Sequence, residues 1–125
     1  MKFRMIVIAA ALGGLVGAAS AHEVAKGPNG GKVADVSGHH LEFVPTSTEV
    51  IIYASDEADK PIATAGSKGR IIIQTVGKTI QVQLVPSEPN KLVGKLDAPL
   101  SAGTVAVVST TFADGHGAQA RFTVD

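Results

Sequence analysis

Cysteine and tryptophan are both absent from the 125-residue chain. Without cysteine, no disulfide can stabilise the fold, no lipid can be attached through a thiol after export, and no thiolate nucleophile is available. The fold must therefore depend on a buried apolar core, and a chain of this length can bury one as a single domain. The chain also lacks the buried tryptophan and paired cysteines that mark antibody domains.

An excess of positive charge is missing as well, since eleven Lys and Arg residues balance eleven Asp and Glu residues. The basic residues are scattered along the chain. Nucleic-acid binding requires clustered Lys and Arg that replace phosphate counterions. We therefore expect no nucleic-acid partner.

Recognisable catalytic motifs are also absent. The glycine cluster GPNGGK at residues 27–32 is not a phosphate loop, because that pattern needs a glycine five positions before the Gly-Lys pair and Ser or Thr after it. This chain has Lys26 and Val33 there. No Gly-x-Ser-x-Gly elbow and no His-Glu-x-x-His motif occurs either. We expect a non-enzymatic protein with no catalytic residues, in which the glycine cluster leads into the first strand.

The amino-terminal segment has the features of a cleavable signal peptide. Lys2 and Arg4 precede an uncharged apolar run at residues 5–19, and Ala19 and Ala21 form an A-x-A cleavage site. The run of about 15 residues is shorter than the ~20 of a membrane helix, so a retained anchor is the weaker alternative. We expect cleavage after Ala21 and a periplasmic product that is not inserted in the membrane. The expected organisation is a signal peptide at 1–21, a flexible lead at 22–31 and one domain at 32–125.

Beyond residue 30, short runs rich in Val, Ile and Thr alternate with turn residues, and no sustained helical period occurs. Ile80, Val82 and Leu84 alternate with polar residues, as expected for a sheet with one dry face. This pattern predicts an all-β fold, an immunoglobulin-like β-sandwich of seven to eight antiparallel strands or else a small barrel. The predicted strands are KVADV (32–36), HLEFV (40–44), EVIIYAS (49–55), GRIIIQTV (69–76), KTIQVQLV (78–85), KLVGKLD (91–97), TVAVVSTTF (104–112) and AQARFTV (118–124).

Histidines supply the remaining candidate chemistry. His39 and His40 open a predicted strand and point to opposite faces, so two adjacent rings cannot easily hold one ion. His40 shares its face with Glu42. We interpret His39, His40 and Glu42 as weaker metal-ligand candidates, with a solvated His40 and a His39 at the core rim as the structural alternative.

The Asp114-Gly115-His116 segment is the stronger candidate. Residues two apart in an extended chain project to the same side, so the carboxylate and the imidazole can converge on one cation. Asp-Gly is also a common hairpin turn, which explains the dipeptide but not the histidine.

His22 would become the first residue after cleavage. Its free α-amine and its ring could then chelate one metal ion together. With His116 and Asp114 they would form a tetragonal, nitrogen-rich set, which suits Cu(II) best, while zinc could use the same ligands tetrahedrally. The predicted metal ligands are therefore His22, Asp114 and His116.

Two resemblances agree with this prediction. The segment APLSAGTVAVVSTTFADGHGAQARFTVD resembles the end of CopC-type periplasmic copper-binding proteins, which implies an immunoglobulin-like sandwich and a Cu(II) site formed by His22, Asp114 and His116. The segment GPNGGKVADVSGHHLEF is similar to small exported bacterial proteins and to segments of heavy-metal efflux adaptor subunits, where His often replaces Asn29.

We therefore expect a periplasmic Cu(II)-binding protein that acts in metal buffering, delivery or resistance. The alternative is a metal-free, adaptor-like β-domain that interacts with an efflux or envelope protein through strand edges or the unpatterned loop at residues 56–68.

Overall fold

The computed structural model describes the backbone of residues 20–22 and all atoms of residues 25–125. This part of the chain is all β, with no helix, as the sequence predicts. None of its elements is a helix long and apolar enough to cross a membrane. The predicted signal peptide lies almost entirely outside the described residues. The strands are β1 (Ser20–His22), β2 (Ala25–Lys26), β3 (Lys32–Val36), β4 (His39–Pro45), β5 (Glu49–Asp56), β6 (Lys68–Thr75), β7 (Lys78–Ser87), β8 (Lys91–Lys95), β9 (Val105–Thr111) and β10 (Gly117–Thr123).

The strands form one continuous curled sheet in the order β1-β10-β9-β6-β7-β8-β5-β4-β3-β2. Strands β2 to β10 pair antiparallel, and β1 pairs parallel with β10. Strand β7 joins the two halves, because residues 78–84 pair with β6 whereas residues 85–87 pair with β8. The structure is therefore one curled sheet, in which β7 links two parts that we call half-sheets: β1, β10, β9 and β6 on one side of it, and β8, β5, β4, β3 and β2 on the other.

Sequence-predicted elements and turns reappear with small shifts of their ends. Ser37 and Gly38 connect β3 to β4 with φ angles of 51° and 82°, as a type I′ hairpin turn requires. In the unpatterned segment at residues 56–68, Pro61 forms only an isolated bridge with Ser55. Proline cannot donate to a ladder, so a full strand there is disfavoured.

The apolar core lies between the two half-sheets. Phe43 on β4 stacks on Phe122 on β10, with ring centroids 5.0 Å apart and an interplanar angle of 13°. Lys32 on β3 reaches across the same gap, where its Nζ donates to the Thr123 carbonyl at 2.6 Å and lies 2.8 Å from Asp125 Oδ1. These contacts hold the ends of the sheet against each other. The buried apolar residues are Ala34, Val36, Leu41, Phe43, Val50, Ile52, Ala54, Ile71, Ile73, Leu84, Leu92, Ala106, Val108, Phe112, Ala118, Ala120 and Phe122.

The GPNGG segment is held in place by a buried carboxylate. Glu42, on the outer face of β4, is 4% exposed. Its Oε2 accepts the main-chain N–H groups of Asn29 (2.9 Å) and Gly31 (2.8 Å), and its Oε1 accepts the Asn29 side-chain amide (2.9 Å). A Cβ on Gly27 would lie 2.3 Å from Glu42 Cδ, so a side chain there would displace the carboxylate. The glycine cluster thus serves as a cover for Glu42.

Replacing Glu42 with Gln should destabilise the protein by about 2 kcal/mol, because the neutral amide keeps only one acceptor oxygen and the hydrogen bonds from Asn29 and Gly31 lose their charged acceptor. Urea unfolding followed by circular dichroism would measure the change. The matched control is Glu57→Gln, since Glu57 is exposed and its replacement should change stability by no more than about 0.5 kcal/mol. Equal stability of the two variants would contradict a structural role for the Glu42 carboxylate.

Candidate functional site

The β9–β10 hairpin presents Asp114 and His116 as one hydrogen-bonded pair. The turn is closed by Phe112, whose N–H donates to the His116 carbonyl (2.9 Å) and whose carbonyl accepts from Gly115 (2.9 Å). Gly115 has a φ of 90°, which favours glycine. Asp114 Oδ1 accepts the main-chain N–H of His116 at 2.9 Å, and Oδ2 lies 2.8 Å from His116 Nδ1. The predicted convergence of these two side chains is present, within a turn instead of an extended segment.

This pairing leaves one imidazole nitrogen available. Because a carboxylate beside Nδ1 favours a proton on that nitrogen, the lone pair of the His116 ring is then on Nε2. Both side chains are accessible, with exposed fractions of 69% for His116 and 60% for Asp114. The hydrogen bond from the His116 ring lowers the pKa of Asp114 below its usual 3.8, and the His116 main-chain N–H and the nearby His39 act in the same direction.

A second imidazole lies beside the pair. The His39 ring, at the start of β4, stacks on Phe112 with ring centroids 4.9 Å apart, and its centroid lies 5.9 Å from that of His116. His39 Nδ1 is buried and has no hydrogen-bond partner among the described residues. The sequence pattern places His39 only beside His40 and does not predict its contact with the β9–β10 hairpin. No local signal could reveal this contact, because residues 39 and 116 are far apart in the chain.

His40 and Glu42 lie in a different environment. His40 Nδ1 is 3.0 Å from Asp59 Oδ1, and its Nε2 is 3.5 Å from Asp35 Oδ2. Both ring nitrogens therefore already face carboxylates. Glu42 is engaged by the loop described above. His40 and Glu42 thus line one small cavity, whereas His39 adjoins Asp114 and His116.

His22 is described through its backbone alone. It pairs with Arg121, five positions after His116, which corresponds to about 16 Å of extended chain. Before cleavage, His22 therefore lies beside β10 and away from the turn that carries Asp114 and His116. This position belongs to a chain that still contains Ser20 and Ala21, the other two paired residues of β1. Cleavage after Ala21 would remove both, so His22 of the trimmed chain keeps its role as a prediction.

No group of three or more His, Asp or Glu side chains within residues 25–125 has an arrangement that could hold a metal ion by itself. No family model, curated protein or solved structure matches the chain. The functional proposal therefore depends on the geometry of the β9–β10 hairpin.

The lowered pKa of Asp114 allows the Asp114–His116 pairing to be tested by a pH titration. A carboxyl group with a lower pKa in the folded state stabilises the fold above its unfolded pKa of 3.8, and this contribution is lost as the pH falls through the folded pKa. Carboxyl-carbon NMR titration should give a midpoint below 3.8 for Asp114. In His116→Ala the midpoint should rise toward that value, whereas His40→Ala should leave it unchanged. A wild-type midpoint at or above 3.8 would contradict the pairing.

Proposed function

We propose that this chain is an exported periplasmic protein that binds Cu(II) for buffering or for delivery to an efflux or resistance system. The ion would be held by the α-amine and ring of His22, by His116 and by Asp114 after the signal peptide at residues 1–21 has been removed. Zinc is the second candidate, in a tetrahedral version of the same site.

The Asp114–His116 pair is the observation that supports this proposal. A carboxylate and an imidazole are common metal ligands, and Asp114 Oδ2 lies 2.8 Å from His116 Nδ1 in an exposed turn, so an ion held by both atoms would replace their hydrogen bond. His39 adds another imidazole within 5.9 Å of His116. A nitrogen-rich ligand set favours Cu(II) over the other common divalent ions.

The exposure of the hairpin agrees with a role in buffering or delivery. Asp114, Gly115 and His116 all lie at the surface, so an ion bound there could be exchanged with a partner without unfolding the core. We also propose that the fold belongs to the immunoglobulin-like class, since its two half-sheets face each other across one apolar core, as the sheets of a sandwich do.

Copper titration tests the proposed ligands. Processed protein that begins at His22 should bind Cu(II) and give an electron paramagnetic resonance spectrum with nitrogen ligands. Retaining Ala21 before His22 would convert the α-amine into an amide, and His116→Ala would remove a ring nitrogen. Each change should weaken binding about ten- to hundredfold in competition with a chelator.

His40→Ala is the matched control, because it removes an imidazole that lies between Asp35 and Asp59, and it should leave copper affinity unchanged. His39→Ala would report whether the additional ring participates. If the Ala21-extended and His116→Ala proteins bind as tightly as the processed protein, the proposed site is wrong. If none of them binds copper, the metal-free adaptor-like function is favoured instead.

A further inference from the structure

Half of β7 has an unpaired edge. Residues 78–84 pair with β6 on one side, and β8 begins to pair with β7 only at Val85. No strand of the described chain pairs with the other side of residues 78–84, although Gly94 of β8 approaches Val82 and Gln83. Such an edge carries a row of main-chain donors and acceptors that can pair with another extended backbone.

Hairpin geometry identifies the main-chain groups on this edge. Val76 and Gly77 form a two-residue loop, so Thr75 and Lys78 are the hydrogen-bonded closing pair. Because hydrogen-bonded residues alternate along an antiparallel ladder, the N–H and C=O groups of Thr79, Gln81 and Gln83 turn away from β6. The Gln83 carbonyl also turns outward, but it lies against β8, 3.3 Å from the place where a Cβ on Gly94 would be, so Thr79 and Gln81 form the open part of the edge.

An apolar groove runs along the same edge. Its volume is about 980 Å³, and its lining includes Ile51, Ile80, Val82, Val93, Leu96 and Leu100. We call it the β7 groove. Residues 79–85 carry no charge, and Ile80 is 38% exposed although it lies in a strand rich in β-forming residues. Natural edge strands are usually blocked by a charge, a proline or a covering loop, and this stretch has none of its own.

The charges around the groove indicate what kind of segment would fit. Lys78, Lys91 and Lys95 line it together with Glu49 and Asp97. None of the three lysines forms an ion pair within the described residues. The surplus of lysine favours acidic residues on an occupant. A second copy of this chain would instead bring the same surplus of one lysine over the two carboxylates against the first.

We propose that the β7 groove is a docking site for an extended segment of a partner protein, which adds as a strand to β7. Main-chain hydrogen bonds to Thr79 and Gln81 would provide much of the affinity, and alternate apolar side chains would enter the groove. Acidic residues at the ends of the segment would lie near the lysines. This inference does not rest on the proposed copper site.

A capped ten-residue peptide with the sequence DDVTVTVTDD tests the proposal on metal-free protein. It should bind, with shifted NMR signals and slowed solvent exchange at the amides of Thr79 and Gln81. Methylating the six central peptide nitrogens should weaken binding about tenfold or more, because each methyl group removes a donor. Replacing the four Asp residues of the peptide with Lys should weaken binding several-fold.

Variants of Gln81 supply the matched pair. Gln81→Pro removes an outward N–H without removing a bond to β6, so it should abolish binding, whereas Gln81→Ala keeps the donor and should bind within about twofold of wild type. Thermal unfolding of both variants checks their fold. If Gln81→Pro does not fold, the difference in affinity between the parent and methylated peptides for wild-type protein still tests the proposal.

Three outcomes would overturn the proposal. One is equal affinity for the parent and methylated peptides. The second is self-association of the protein that Gln81→Pro removes, with no peptide binding, since the occupant would then be a second copy. The third is loss of peptide binding in His116→Ala, which would link the groove to the hairpin. Retained peptide binding in that variant, together with lost copper binding, would support two separate sites.

Discussion

The Phe43–Phe122 stack is the contact on which the rest of the fold depends, because it closes the sheet on itself. The described chain has no helix to cover the apolar face, and cysteine is absent, so one half of the sheet must cover the other. The two rings pack 5.0 Å apart, and Lys32 ties β3 to the end of β10 at the rim of the same contact. Burial of aromatic rings supplies much of the energy of a small core. This closure brings the start of β4 beside the β9–β10 hairpin, which puts His39 near His116.

The first part of β7 has an unpaired edge because β8 pairs only with Val85, Pro86 and Ser87. Gly94 lies against Val82, and a Cβ at that position would be 2.7 Å from Val82 Cγ1, so a larger residue would force β8 away from β7. This close approach lets β8 pair with the last part of β7 while the first part keeps an unpaired edge. Both half-sheets thus share β7, and the groove lies beside its unpaired edge. The hairpin with its histidines and the groove are separate regions, which can carry separate functions.

The sequence predicts much of the local structure and little of the long-range arrangement. The alternation of Ala120 and Phe122 with polar residues predicts their burial, and the spacing of Asp114 and His116 predicts their contact. These features follow from the geometry of one strand or turn. The exposure of Ile80 departs from its alternation pattern, because alternation gives the face of a residue but not whether a neighbouring strand covers it. The burial of Glu42 and the approach of His39 to His116 require contacts between distant segments, which no local pattern encodes.

The order of the strands also governs how the chain can assemble. Six of the eight antiparallel ladders join strands that follow one another in the chain, and only the β5–β8 and β6–β9 ladders join distant ones. Local hairpins form quickly, whereas distant pairings first require a long loop to close. We therefore expect three meanders, β2 to β5, β6 to β8 and β9 to β10, to form early and the two distant ladders to limit the folding rate. Since β9 supplies the partner of β6, a nascent chain cannot complete that half-sheet until its final hairpin has emerged.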